Sequence, residues 1–236
     1  MPYALTKQQV DELFVFCKKH HVHHYDVQRE LVDHLANAIE KNIEMNPEMS
    51  FEESLAGIYA SFGIKGFAEI VNQRMASMEK YCRKERWRIY LSYFTWPKAA
   101  VTLCIYFLLS LAIKYLPPYE RSVFYACLFL AVMAFYVFAL FETYFIFKKQ
   151  KKKLLITSHG ELSNILPYWL GYFALEIYRY KTHIFDSTYI HIGFIDGVIA
   201  NVLFIMLLAL ALSYRQLILQ LDKLIRKDYP EVFIAE

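Results

Sequence analysis

Cysteine is scarce in this chain, with four in 236 residues: Cys17, Cys82, Cys104 and Cys127. That number and spread give no disulfide framework of the kind that holds small secreted folds together. Cys104 lies about five residues from the inner end of one apolar run, and Cys127 about six from the outer end of the next. At about 1.5 Å of rise per residue these two sit at different depths and do not pair. All four read as reduced, buried small hydrophobes. Catalytic motifs are missing as well. There is no G-x-S-x-G, no P-loop, no zinc-protease helix and no pair of carboxylates in a recognised catalytic arrangement. "IDGVIANVL", beginning at Ile195, has an Asp-Gly but lacks the further acidic repeats of a phosphotransferase acting on lipid heads. A non-enzymatic protein is expected, with no catalytic residue, cofactor or resident metal. The opening "MPYALTKQQVDELF" lacks a charged start, an apolar core and a small-residue cleavage site, so no signal peptide is expected.

What the chain has in excess is apolar surface, at 57% hydrophobic and 17% aromatic residues. Four runs, at about 99–117, 122–147, 162–178 and 190–213, approach or exceed the ~20 residues that cross a hydrocarbon core of ~30 Å. The third, "LSNILPYWLGYFALEIY", holds Pro167, Gly171 and Glu176, and reads as a span that is kinked, tilted or re-entrant. Basic residues set the orientation. Arg83, Lys84, Arg86, Arg88 and Lys98 precede the first run. Lys148, Lys149, Lys151, Lys152 and Lys153 follow the second, and Arg215, Lys223, Arg226 and Lys227 follow the fourth. The other two loops carry only Lys114 with Arg121 and Arg179 with Lys181. All three basic flanks share one side when four spans cross with both termini in the cytoplasm. The net charge of +3 is therefore a topology signal and gives no reason to expect nucleic acid.

Ahead of the membrane half, residues 1–80 read as a water-soluble helical module, joined to the spans by a basic and aromatic connector over 81–98, with a polar tail from 215 to 236. Thr6 with Gln9, and Ser50 with Glu53, have the spacing of capping boxes, in which side chains satisfy the free amides at a helix start. Val10, Leu13, Phe14 and Cys17 form the apolar stripe of a first helix; Val27, Leu31, Leu35, Ile39 and Ile43 form that of a second. Leu55, Ile58, Tyr59 and Phe62 belong to a third, which Gly63 stops. A fourth starts near Gly66, buries Phe67, Ile70, Val71, Met75 and Met78, and runs on through "EKYCRKERWRIY". Trp87, Tyr90, Tyr93, Phe94 and Trp96 make an aromatic belt at the bilayer surface. The fold expected is all-α, a cytosolic helical domain followed by a four-helix transmembrane bundle.

Three segments of this module, "RELVDHLANAIE", "MSFEESLAGIYASFG" and "IKGFAEIV", follow one another in the order of a known signature. The stretch Tyr25–Val71 resembles the HAAS type of helical signalling domain, also described as a permease prefix domain. With the membrane half, the chain looks like multi-span proteins of that kind from Bacteroidota. The resemblance implies a bacterial inner-membrane location, a cytosolic interaction or signalling role, a PadR-like transcriptional regulator as a frequent neighbour, and no catalytic residues. The chain departs from the pattern in the long "KNIEMNPEMS" between the two signature helices.

His20, His21, His23 and His24, with Asp26, Asp33 and His34, supply many metal-ligand types but no recognised ligand spacing. They read as a helix-end polar cluster, with a weak zinc or nickel site and a pH-sensing role as alternatives; the family pattern uses the position of His34 for helix packing. Ionisable residues in apolar spans are costly, so they are the better functional pointers. Glu142 is expected to snorkel or to pair with the lysines below it. Glu176 and Asp196, with Arg179 and Lys181 in the loop between them, make a candidate polar pocket at the outer face, either structural ion pairing or a ligand site. Asn201 reads as an interhelical hydrogen bond. Lys148, Lys149, Lys151, Lys152 and Lys153 are candidate contacts to anionic lipid heads. The leading reading is a membrane protein whose cytosolic domain docks a protein partner. An accessory subunit of a transport or permease complex is second, since four spans without an internal repeat need an oligomer or partner to transport. A lipid-modifying membrane enzyme is third.

Overall fold

The four-residue spacing of Val27, Leu31, Leu35, Ile39 and Ile43 becomes a single buried face on a 21-residue helix. This is seen in a computed structural model of the chain, which describes residues 3–63, 66–158 and 194–233. The described residues are all-helical and contain no strand. In chain order they form α1 (Lys7–Lys19), α2 (Tyr25–Met45), α3 (Phe51–Ser61), α4 (Ala68–Ser92), α5 (Lys98–Tyr115), α6 (Pro118–Lys148), α7 (Leu155–Ser158) and α8 (Phe194–Asp228), with a 3-10 turn at Pro230–Val232. They divide into two compact units. One draws its described residues from Met1–Tyr81, Gln150–His159 and Asp228–Glu236, the other from Cys82–Lys149 and Gly160–Lys227.

Both expected capping boxes are present in the first unit. Gln9 N–H donates to Thr6 Oγ1 at 3.3 Å while Thr6 N–H donates to Gln9 Oε1 at 2.9 Å. The Ser50 and Glu53 pair repeats this at 3.1 and 3.0 Å. Such caps stabilise a helix start by about 1 kcal/mol each. α3 ends as its sequence indicates, with Gly63 in the left-handed region at φ 72° and its amide on the Ala60 carbonyl at 3.2 Å. Gly66 is needed for a second reason: its φ is 50°, and an added Cβ would meet Tyr59 Oη at 2.7 Å. Leu13, Cys17, Val22, Leu31, Leu35, Ile39, Phe51 and Phe67 share one core, against which Val10, Phe14, Ile58, Tyr59, Phe62, Ile70, Val71 and Met75 pack. That core also takes in Leu155 from α7, which lies far along the chain. The segment before α1 is tied down by carboxylates of α2, with Leu5 N–H on Glu40 at 2.9 Å and Tyr3 N–H on Glu44 at 3.1 Å.

The second unit holds the apolar helices. Two are long and apolar enough to cross a membrane, Val123–Lys148 within α6 and Ile199–Asp228 within α8. α5 is apolar over Lys98–Ala112 but shorter; its 18 residues span about 27 Å at about 1.5 Å each. The expected third run, 162–178, lies outside the described residues. Asn201 behaves as its setting suggested. It is buried, accepts from Tyr125 Oη of α6 at 2.9 Å and donates to Ser110 Oγ of α5 at 3.1 Å, so one amide ties three helices.

Two expectations are corrected here. Glu142 pairs with Arg215 of α8, Nε to Oε2 at 2.7 Å and Nη2 to Oε1 at 3.1 Å, and not with the lysines that follow α6. A planar guanidinium satisfies both carboxylate oxygens at once, which a lysine ammonium cannot do. α8 also continues well beyond residue 213, to Asp228. Tyr214, Leu217, Ile218, Leu221 and Ile225 are buried at helical spacing, so the packing face persists while charge accumulates on the opposite side. Nothing in that stretch stops a helix until Pro230.

Leu35 is 1% exposed at the centre of the first core, so Leu35→Ala should cost about 2–5 kcal/mol, read as a lowered denaturant midpoint of the first unit. Burial pushes the Cys17 thiol up to about 12. An unfolded chain ionises it near 8.5, so the contribution of this group is intact below that pH and declines by about 1.4 kcal/mol per pH unit as pH rises further. Melting curves of the full chain between about pH 8 and pH 11 should therefore fall less steeply in Cys17→Ala than in the parent.

Candidate functional site at the first turn of α2

Three distant parts of the chain converge on the first turn of α2. Tyr25 N–H donates to the Lys153 carbonyl at 2.9 Å, anchoring the lysine-rich segment after α6. Asp26, 7% exposed, accepts from Leu155 N–H at 2.9 Å. A carboxylate from another element thereby caps the first amide of α7, where the positive end of a helix favours negative charge. Arg29, one turn further on, reaches the tail: Nη1 donates to the Asp228 carbonyl at 3.2 Å and to Glu231 Oε1 at 3.0 Å. Tyr25 Oη donates to the same Glu231 oxygen at 3.3 Å.

Aromatic faces complete the junction. The Lys152 ammonium lies 4.5 Å from the Tyr25 ring centroid, and the Arg29 guanidinium 5.6 Å from that of Tyr229. Lys151 N–H donates to the Val232 carbonyl at 3.0 Å, so the lysine segment and the tail are bonded to each other as well as to α2. Leu154, Leu155 and Val232 are fully buried. The Tyr25 hydroxyl is held above its ordinary value, first by burial and then by the Glu231 carboxylate, against the opposing pull of Lys152. Tyr229 is raised too, by burial and by Asp26.

The expected site residues are distributed differently from a single site. Glu176, Arg179 and Lys181 lie outside the described residues, as does the side chain of Asp196, whose backbone is in the first turn of α8. Of the candidate lipid contacts, Lys148 lies 5.6 Å from the Tyr144 ring centroid and Lys149 ends α6. Lys151, Lys152 and Lys153 are anchored at the junction through backbone or ring. Asp26, counted among possible metal ligands, is turned to the Leu155 amide, and Asp33 and His34 are exposed on α2. The position of His34, which the resemblance gave to helix packing, is thus not buried in this chain. Among the described residues no group of three or more His, Cys, Asp or Glu is placed to hold a metal ion.

His20 is used as an aromatic, its ring centroid 4.3 Å from that of Phe16 and 4.2 Å from that of Tyr59. It borders a cleft of about 250 Å³ together with His21, Tyr59, Phe67, Ala68, Val71 and Asn72. The parts missed from sequence are Tyr25, Arg29, Tyr229 and Glu231. The signal for them was the short apolar "LLI" after the lysines and "YPEVF" after the charged end of α8, neither of which has a use in water.

Comparison with known proteins returns no match among family models, curated proteins or solved structures.

Removing the Asp26 carboxylate leaves a buried amide without its acceptor. Asp26→Ala should therefore destabilise the first unit by about 1–3 kcal/mol, and Asp26→Asn, which keeps an acceptor oxygen, by less. Arg29→Ala should release the tail, read as faster proteolysis after Asp228 with the helical content of the chain unchanged.

Proposed function

We propose that the chain is a non-enzymatic, multi-pass protein of a bacterial inner membrane, with both termini in the cytoplasm, whose first unit docks a protein partner in a signalling or regulatory role. One observation carries the topology. Gln150–Ser158 and the tail from Asp228 pack into the same unit as Tyr3–Tyr81. Segments that share a water-soluble core share one side of a bilayer. α5 and α6 together make one outward and one return crossing between Tyr81 and Gln150. α8 then ends on that same side, so it begins on the other. The crossing expected from the apolar run 162–178 would then make four in all.

Exposed side chains support the membrane part of this reading. Leu103, Phe107, Leu108 and Leu111 on α5, and Phe138, Phe141 and Phe145 on α6, are more than half exposed. Such a continuous apolar surface is unfavourable in water and favourable in hydrocarbon. Asn201, Tyr125 and Ser110 satisfy one another internally, as polar groups in a membrane must. The docking part rests on the HAAS-type resemblance of Tyr25–Val71 and on the charged, exposed face of α2 that includes Asp33 and His34. A regulator of the PadR-like kind fits that reading; a transport complex is the alternative partner, and a homo-oligomer is compatible with both.

Topology is the first test. Reporter fusions at Ala4 and after Ile234 should both report the cytoplasm, and a single cysteine at Ser187 should be labelled from outside. A periplasmic C-terminus would overturn the four-crossing arrangement. Copurification of the full chain, with Asp33→Ala, His34→Ala as the control, tests docking: a partner retained by the parent and lost by the variant is expected, whereas equal recovery by both removes α2 as the docking face.

A further inference from the structure

The last turns of α4 and the turn that follows expose an unusual set of side chains. Trp87 and Leu91, one helical turn apart, are 50% and 55% exposed, and Phe94 and Trp96 are 40% and 82% exposed. Ile89 and Tyr90 on the same helix are buried, so α4 packs by another side and leaves this one open. Arg83, Lys84 and Arg88 are exposed on the same stretch, with Glu85 as the one acidic residue between them; Arg88 pairs with Glu85.

We infer that Arg83–Trp96 is a binding surface for anionic phospholipid at the inner face of the bilayer, with Arg83 and Lys84 on the phosphates and the aromatic group at the acyl boundary. This rests on the membrane reading above and names the lipid class that the chain prefers. The order of side chains along the backbone decides for lipid over a protein partner. Arg83 and Lys84 come first, then Trp87 with Arg88 turned back to Glu85, then Leu91, Phe94 and Trp96, then the exposed aliphatic surface of α5. That is the order of a leaflet crossed from water: phosphate, interface, hydrocarbon. Along α4, Arg83 and Trp87 are about 6 Å apart at helical rise, which matches the roughly 5–8 Å depth of one headgroup and interfacial layer. Tyr93 and Lys98 fix the point of entry. The Lys98 ammonium lies 4.6 Å from the Tyr93 ring centroid and donates to Ser92 Oγ at 3.0 Å, while Thr102 Oγ1 donates to the Tyr93 carbonyl at 2.8 Å.

The lysine run after α6 is the obvious rival for this role, since Lys148, Lys149, Lys151 and Lys153 are exposed, but it has no tryptophan beside its basic residues. Lys152 lies over Tyr25, Lys148 over Tyr144, and the Lys151 and Lys153 backbones are bonded at the α2 junction. Each basic residue near an anionic surface adds about fivefold to lipid affinity. Loss of Arg83 and Lys84 together should therefore be enough to remove a several-fold preference for anionic lipid.

The full chain with Trp169→Phe retains two tryptophans, Trp87 and Trp96, as reporters. In vesicles of phosphatidylcholine containing brominated phosphatidylglycerol, quenching should be stronger for bromines near the headgroup than for bromines deep in the chain. Half-quenching should need several-fold less brominated phosphatidylglycerol than brominated phosphatidylcholine. Arg83→Gln, Lys84→Gln should abolish that preference, and Lys149→Gln, Lys153→Gln should keep it. Loss of the preference only in the second pair would assign the lipid site to the lysine run and overturn the proposal. So would unquenched tryptophans in a chain that resists alkaline extraction. A chain released by alkaline extraction would instead overturn the membrane reading on which the proposal rests.

Discussion

Asp26 and Arg29 stand one turn apart at the start of α2, and each commits its charge to a different distant segment. The carboxylate takes the first amide of α7; the guanidinium takes the last carbonyl of α8 and the Glu231 carboxylate. Neither contact is strong by itself, since a net hydrogen bond contributes about 1 kcal/mol. Their effect lies in what they gather. They seat Leu154, Leu155 and Val232 where those side chains are fully buried, and burial of that kind is worth about 1.5–3 kcal/mol for each large aliphatic residue. The polar contacts choose the register and the apolar ones hold it.

In the second unit the division of labour is reversed. On the membrane reading proposed above, apolar contact between helices brings no advantage over contact with lipid tails, so the specific pairings there fall to polar groups. Asn201 with Tyr125 and Ser110, Tyr214 with Thr143, and Arg215 with Glu142 are the contacts that distinguish one arrangement of α5, α6 and α8 from another. The ring pairs Phe129 with Phe204 and Tyr136 with Tyr214 fill the space between them.

Much of this was legible from local pattern. The two capping boxes, the α2 stripe, the Gly63 stop and the role of Asn201 are all decided by residues within a turn or two of one another, or by one polar atom in an apolar run. The junction was not legible, because it joins residues 129 and 202 positions apart through short segments that have no periodicity. Arg29 on an otherwise charged face looks like any solvated arginine until Glu231 is placed beside it. The same reason explains Glu142. A lysine cluster six residues away in sequence was the visible partner, and Arg215 became visible only once α8 lay alongside α6. The end of α8 was missed because rising charge was read as the end of the span, whereas the buried side of the helix keeps its spacing through Ile225.

The buried place of Val232 in the first unit has a consequence for the order of assembly. Ribosomes add about 5–20 residues per second, and domains generally fold as they emerge. Here α1, α2 and α3 are made early, yet one piece of their unit arrives only after α6 and the last after α8. For the tens of seconds in between, the Asp26 carboxylate has no Leu155 amide and Arg29 has no Glu231. The unit is completed only when the apolar helices have been made and both later segments lie within reach. Closure of the first-made part thus waits on the last-made part.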